Sequence, residues 1–134
     1  MLHQPKVLIA DDDVGLLTAL AVRLRAAGYA VRTAQDCYQA VQLANRWRPD
    51  VIVLDLRMPA GDGCIVQDRI ESSRKGLLRV APVIFLTGER SAQVDAMSAC
   101  GRAFAVLHKP CDTQTLIGVI EDALHRSPVS TVID

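Results

Sequence analysis

The sequence predicts an α/β fold, a doubly wound five-stranded parallel sheet with five flanking helices. Three observations carry that expectation. Short runs of consecutive apolar residues alternate with segments whose apolar residues recur at helical spacing. The runs are continuously apolar rather than alternating, which implies burial on both faces, as in a parallel sheet covered by helices. Polar residues stand directly beyond four of the five runs: Asp11-Asp12, Asp55, Thr87 and Lys109-Pro110.

Taken in order, Val7 to Ala10 is the first strand. Leu17, Leu20, Ala21 and Leu24 then recur as one face of a helix that stops at Gly28. Tyr29 to Thr33 reads as a second, weaker strand. Asp36 can cap a helix carrying Ala40, Val41, Leu43 and Ala44, which ends before Pro49. Val51 to Leu54 is the third strand, followed by the loop MPAGDG and a helix around Ile65 to Ser73. Gly76 to Pro82 reads as a connection and Val83 to Leu86 as the fourth strand. Ser91 can cap a helix running through Val94, Met97 and Ala99 to Gly101. Phe104 to Leu107 is the fifth strand. Asp112 can cap a last helix whose Leu116, Ile117, Ile120, Ala123 and Leu124 form one stripe. Residues 1–126 are expected to form one domain, and 127–134 a C-terminal tail or the start of a linker.

The 134 residues suit a single core. Fifteen basic residues balance fifteen acidic ones, so there is no electrostatic case for direct nucleic-acid binding or for an anionic membrane surface. No apolar run reaches the length of a membrane span, and MLHQPK lacks a signal-peptide core, so a cytoplasmic location is expected. Cys37, Cys64, Cys100 and Cys111 form no C-x-x-C pair, and His3, His108 and His125 have no ligand spacing. Reduced thiols and ordinary surface or strand-end histidines are the expectation.

The chemistry concentrates at the carboxyl ends of the strands, where open α/β sheets form their sites. Asp11, Asp12 and Asp55 would converge in one cleft, and three neighbouring carboxylates repel one another. A hard divalent cation with oxygen ligands, Mg2+, relieves that repulsion. The metal and the Lys109 ammonium can together neutralise an incoming phosphoryl group, Asp55 can attack phosphorus, and the Thr87 hydroxyl can bond a phosphoryl oxygen. Each residue alone has a plainer reading: a capping turn, a strand-end threonine, a surface lysine. Their joint placement favours a site.

The pieces VLIADDD, VIVLDLRMPAGDG, VIFLTG and LHKP, spaced as they are over roughly residues 5 to 125, resemble the receiver domains of two-component response regulators. The resemblance implies a flavodoxin-like sheet of order 2-1-3-4-5. It implies that Asp55 is the phosphoacceptor, that Asp12 binds Mg2+ directly while Asp11 acts largely through water, and that the Arg57 backbone carbonyl is a further metal ligand. It also implies that Thr87 moves to the phosphoryl group, that Lys109 pairs with it, and that Pro110 follows a cis bond. Asp13, one place beyond the pair, is left to cap the first helix. The implied partners are a sensor histidine kinase or histidine phosphotransfer protein, a downstream effector protein or domain, and a second copy in an activated homodimer. The implied activity is that of a signalling phosphoacceptor, not an enzyme, which assists its own phosphorylation and dephosphorylation. Phosphorylation would bias a two-state surface around the fourth helix, fifth strand and fifth helix.

The sequence departs from the family at Val106, where receivers usually carry Tyr or Phe. Phe104 is two residues earlier, which on a strand keeps the same face. Trp47, before Arg48-Pro49, reads as partial packing. The basic residues Arg69, Arg74, Lys75 and Arg79 lengthen the third connection and read as a solvated face. Three rivals stand beside the phosphoacceptor. A flavin-binding electron carrier would want a Ser/Thr-rich phosphate loop where ADDD stands. A phosphatase with an aspartate nucleophile would want D-x-D where Asp55-Leu56-Arg57 stands. A non-phosphorylated scaffold or pseudo-receiver would have no need of the complete acidic and lysine set.

Overall fold

The five main strands pair in parallel. β1 (Lys6–Ala10) lies between β2 (Ala30–Ala34) and β3 (Val51–Asp55). β3 continues to β6 (Val83–Thr87), and β6 to β7 (Ala105–His108), giving the order β2-β1-β3-β6-β7. This is the 2-1-3-4-5 arrangement expected of the five main strands. The computed structural model describes residues 4–55, 57–58, 61–62, 69, 81–88 and 104–125. The expected helices around 65–73 and 91–101 lie outside the described residues, apart from Arg69. α1 (Val14–Ala26), α2 (Cys37–Trp47) and α3 (Thr113–His125) are the described helices. None of them is long and apolar enough to cross a membrane.

Local sequence starts and stops these helices. The Asp13 carboxylate accepts from Leu16 N at 3.1 Å and Asp36 from Gln39 N at 2.8 Å, so each satisfies an amide that the first helical turn leaves open. Asp112 accepts from Gln114 N and the Thr115 hydroxyl ahead of α3. Gly28, at φ 104°, lets the chain reverse out of α1 into β2. β2 begins one residue later than the apolar pattern suggests, because the Tyr29 amide is bonded back to Leu24 O at the end of α1.

The sheet is a partition between two cores. On one face α2 packs through Cys37, Ala40 and Ala44 against Leu8, Ile52, Leu54 and Phe85. On the other, α1 and α3 pack through Leu17, Leu24, Leu116 and Ile120 against Val7, Ile9, Val53 and Ile84. β3 and β6 are buried along their whole lengths, which is why their sequences are apolar at every position. Each fully buried aliphatic side chain contributes about 1.5–3 kcal/mol. Trp47 packs at the edge of the α2 core and carries the Lys6 ammonium and Arg32 guanidinium over its ring, 5.8 and 5.2 Å from the centroid.

Two local expectations change. At MPAGDG and the Arg57 before it, the chain pairs antiparallel: β4 (Arg57–Met58) is joined to β5 (Gly61–Asp62) in a two-residue ribbon rather than a plain loop. Phe104 does not share a face with Val106. It precedes β7 and packs in the α1–α3 core, whereas Val106 packs on the α2 side. Strand alternation fails at Phe104 because the residue sits in a bend, not in the ladder.

Tyr29 donates its phenol O–H to Glu121 Oε2, tying the start of β2 to α3. Burial, then the hydrogen bond to Glu121 and its charge, raise this phenol above the ordinary tyrosine value. Unfolded tyrosine ionises near pH 10 while the folded phenol keeps its proton. The resulting stability is therefore complete below about pH 10 and lost as pH rises towards the folded value. Tyr29→Phe is expected to cost about 1 kcal/mol at neutral pH and to flatten the alkaline fall in the urea midpoint. An unchanged alkaline slope would refute this coupling.

Candidate functional site

Among the described residues, the buried polar or charged ones are Asp11, Asp55 and Thr87, at 2, 7 and 2 % exposure, all at the carboxyl edge of the sheet. Strand alternation accounts for their directions. Val7 and Ile9 of β1, Val51 and Val53 of β3, and Ala105 and Leu107 of β7 all face the α1–α3 side. Two residues further along these chains stand Asp11, Asp55 and Lys109, on that same side. Thr87 follows Phe85, which faces α2, so its side chain leaves β6 on the opposite side.

Asp11 is held from both ends. Its Oδ1 accepts from Asp13 N at 2.9 Å, and its Oδ2 lies 2.7 Å from Lys109 Nζ. That second contact is a close ion pair with the lysine. Lys109 also reaches Asp55 Oδ2 at 3.6 Å, and so spans two of the carboxylates. Burial by itself would lower the lysine's pKa, but the Asp11 and Asp55 carboxylates outweigh it and raise the ammonium above the ordinary value. The amide of Lys109 donates to Thr87 O at 2.7 Å, fixing the end of β7 to the end of β6, and the Lys109–Pro110 bond is cis, as expected.

Asp12 is exposed at the mouth of the cluster. One carboxylate oxygen each from Asp11, Asp12 and Asp55 come within 4.8 Å of one another. Among the described residues, three carboxylates and one ammonium meet at this edge. An all-oxygen donor set of carboxylates fits a hard divalent cation such as Mg2+. Arg57 lies in the ribbon that begins two residues after Asp55. Asp13 caps α1 and is not part of the cluster. The expected acids and Lys109 are thus together, with Thr87 on the neighbouring strand one register step beyond the Asp55–Leu86 pair.

The family model of the response regulator receiver domain matches residues 7–121. This chain belongs to that family. The receiver is 38 % identical over 133 residues to the transcriptional regulatory protein GlrR of Escherichia coli, covering 98 % of this chain and 29 % of GlrR. It is 34 % identical to the transcriptional regulatory protein PdtaR of Mycobacterium tuberculosis, covering 96 % of this chain and 61 % of that protein. The chemotaxis protein CheY4 of Vibrio cholerae superposes with a TM-score of 0.80 at 29 % identity, over 91 % of this chain and all of CheY4. The receiver therefore spans between about a third and three fifths of these two curated relatives. Those relatives are regulators, and the receiver's place is in two-component signalling.

One residue beside the site escaped the reading of the sequence. His108 passes there for an ordinary strand-end histidine, yet it is the register partner of Thr87. Counting residues back from Lys109 and Thr87 to the strand starts would have paired them, but only with the β6–β7 register in hand.

Proposed function

We propose that this receiver accepts a phosphoryl group on Asp55 from a phosphohistidine of a sensor histidine kinase or histidine phosphotransfer protein. The observation that carries this reading is the convergence of Asp11, Asp12 and Asp55, with Lys109 spanning Asp11 and Asp55. The Asp12 and Asp55 carboxylates and the Arg57 carbonyl would hold Mg2+, with Asp11, already engaged through both oxygens, acting through water. Bound there, the metal supplies positive charge to the phosphoryl oxygens. An Asp55 oxygen attacks phosphorus; the new O–P bond forms as the P–N bond breaks, and the electron pair leaves with the donor imidazole. Lys109 shifts its ammonium from the carboxylates to the phosphoryl oxygens, and the Thr87 hydroxyl donates to another. The same groups would orient water for dephosphorylation.

The phosphorylated carboxylate then biases a surface that includes β7 and α3, read by an effector protein or domain or by a second receiver. Balanced overall charge supports protein partners for this domain rather than nucleic acid. A non-phosphorylated scaffold would leave the buried acids and their lysine without a task. Incubation with acetyl phosphate and Mg2+ is expected to add one phosphoryl group, located on Asp55 by peptide mapping, and EDTA is expected to prevent it. Labelling that survives EDTA would count against the metal-dependent reading.

A further inference from the structure

Thr87 and His108 are register partners in adjacent parallel strands, so their Cα atoms lie about 5 Å apart. The preceding same-face pair, Phe85 and Val106, packs on the α2 side, whereas Leu86 and Leu107 pack on the α1–α3 side. Alternation therefore sends the Thr87 hydroxyl and the His108 imidazole out of the sheet on the same face. Thr87 is 2 % exposed, while His108 is half-buried and reaches solvent. Along that face of β7, Val106 offers only an aliphatic side chain, with no polar atom to follow a moving hydroxyl. The imidazole can both donate and accept. The backbone joins the two strand ends as well, through the Lys109 N to Thr87 O hydrogen bond of 2.7 Å.

We propose that His108 is a positioning residue that couples Thr87 to the surface: when the hydroxyl turns to a phosphoryl group on Asp55, the imidazole follows and carries the change to solvent at the end of β7. This rests on the reading of Asp55 as phosphoacceptor. It gives the two-state surface a specific moving part on β7.

The test is a 1H–13C spectrum of the imidazoles in the full chain, with and without Mg2+ and beryllofluoride as the phosphoryl mimic. Loading is followed independently by the amide resonances of Asp12 and Asp55. The His108 ring signal is expected to move by more than its linewidth on loading. It should still move in Thr87→Ser, which keeps the hydroxyl, and stay fixed in Thr87→Ala. Loading with an unmoved His108 signal overturns the proposal alone, as does movement that persists in Thr87→Ala. Failure of the wild type to load overturns the phosphoacceptor reading, and this proposal with it.

Discussion

Asp55→Asn is expected to abolish labelling by acetyl phosphate altogether. Asparagine has nearly the same shape, so the fully buried strand β3, paired to β1 and β6, should keep its place. What disappears is the anionic oxygen that attacks phosphorus, and an amide oxygen does not replace it at neutral pH. The substitution also removes one of three converging negative charges, so Mg2+ binding should weaken in the same variant. Intact mass and peptide mapping provide the readout, with the urea midpoint confirming that the variant is folded. Labelling retained on Asp11, Asp12 or any other residue would sink the assignment of Asp55.

Lys109→Gln is expected to make the fold depend on divalent cation. In the wild type the ammonium lies 2.7 Å from an Asp11 carboxylate that is almost wholly buried and 3.6 Å from Asp55. Removing it takes the close counter-charge from buried Asp11, at a cost of about 1–3 kcal/mol in metal-free buffer; the lysine's partial exposure keeps the cost below that of a fully enclosed pair. Because the lysine pKa is raised, the pair's contribution is complete below the unfolded lysine value and is lost only as pH climbs through the folded one. The deficit should therefore be present across the neutral range. Mg2+ should restore more stability to Lys109→Gln than it adds to the wild type, because it then answers a larger repulsion. A cation at a hundredfold excess over its Kd contributes about 2.7 kcal/mol. Urea unfolding with and without Mg2+ measures both increments. Equal increments would show that Lys109 does not balance the acids.

Much of this was open to inspection in the chain itself. Asp13, Asp36 and Asp112 could be recognised as caps because capping is a matter of a few residues. The continuous apolar runs marked the strands because burial on both faces leaves no polar position. The separation of Asp13 from Asp11 and Asp12 was also readable, since a capping carboxylate is committed to its own helix amides. The failures were of another kind. Phe104 was assigned the face of Val106 by strand alternation, but a bend before β7 breaks the period. The Arg57–Asp62 ribbon was hidden because two-residue pairing depends on backbone direction more than on side-chain pattern. The Tyr29–Glu121 bond joins residues separated by most of the chain, and no local signal announces it.

The sequence by itself determined the five main strands, the caps that begin α1, α2 and α3, and the set of polar residues that stand at strand ends. Those properties follow from local periodicity and local hydrogen bonding. Only the tertiary structure decided that Lys109 presses closest on Asp11 rather than Asp55, that Thr87 leaves the sheet on the opposite side from the acids, and that His108 is its neighbour. Register between strands is set by how two cores pack on either face of one sheet, and that is a property of the whole fold rather than of any segment.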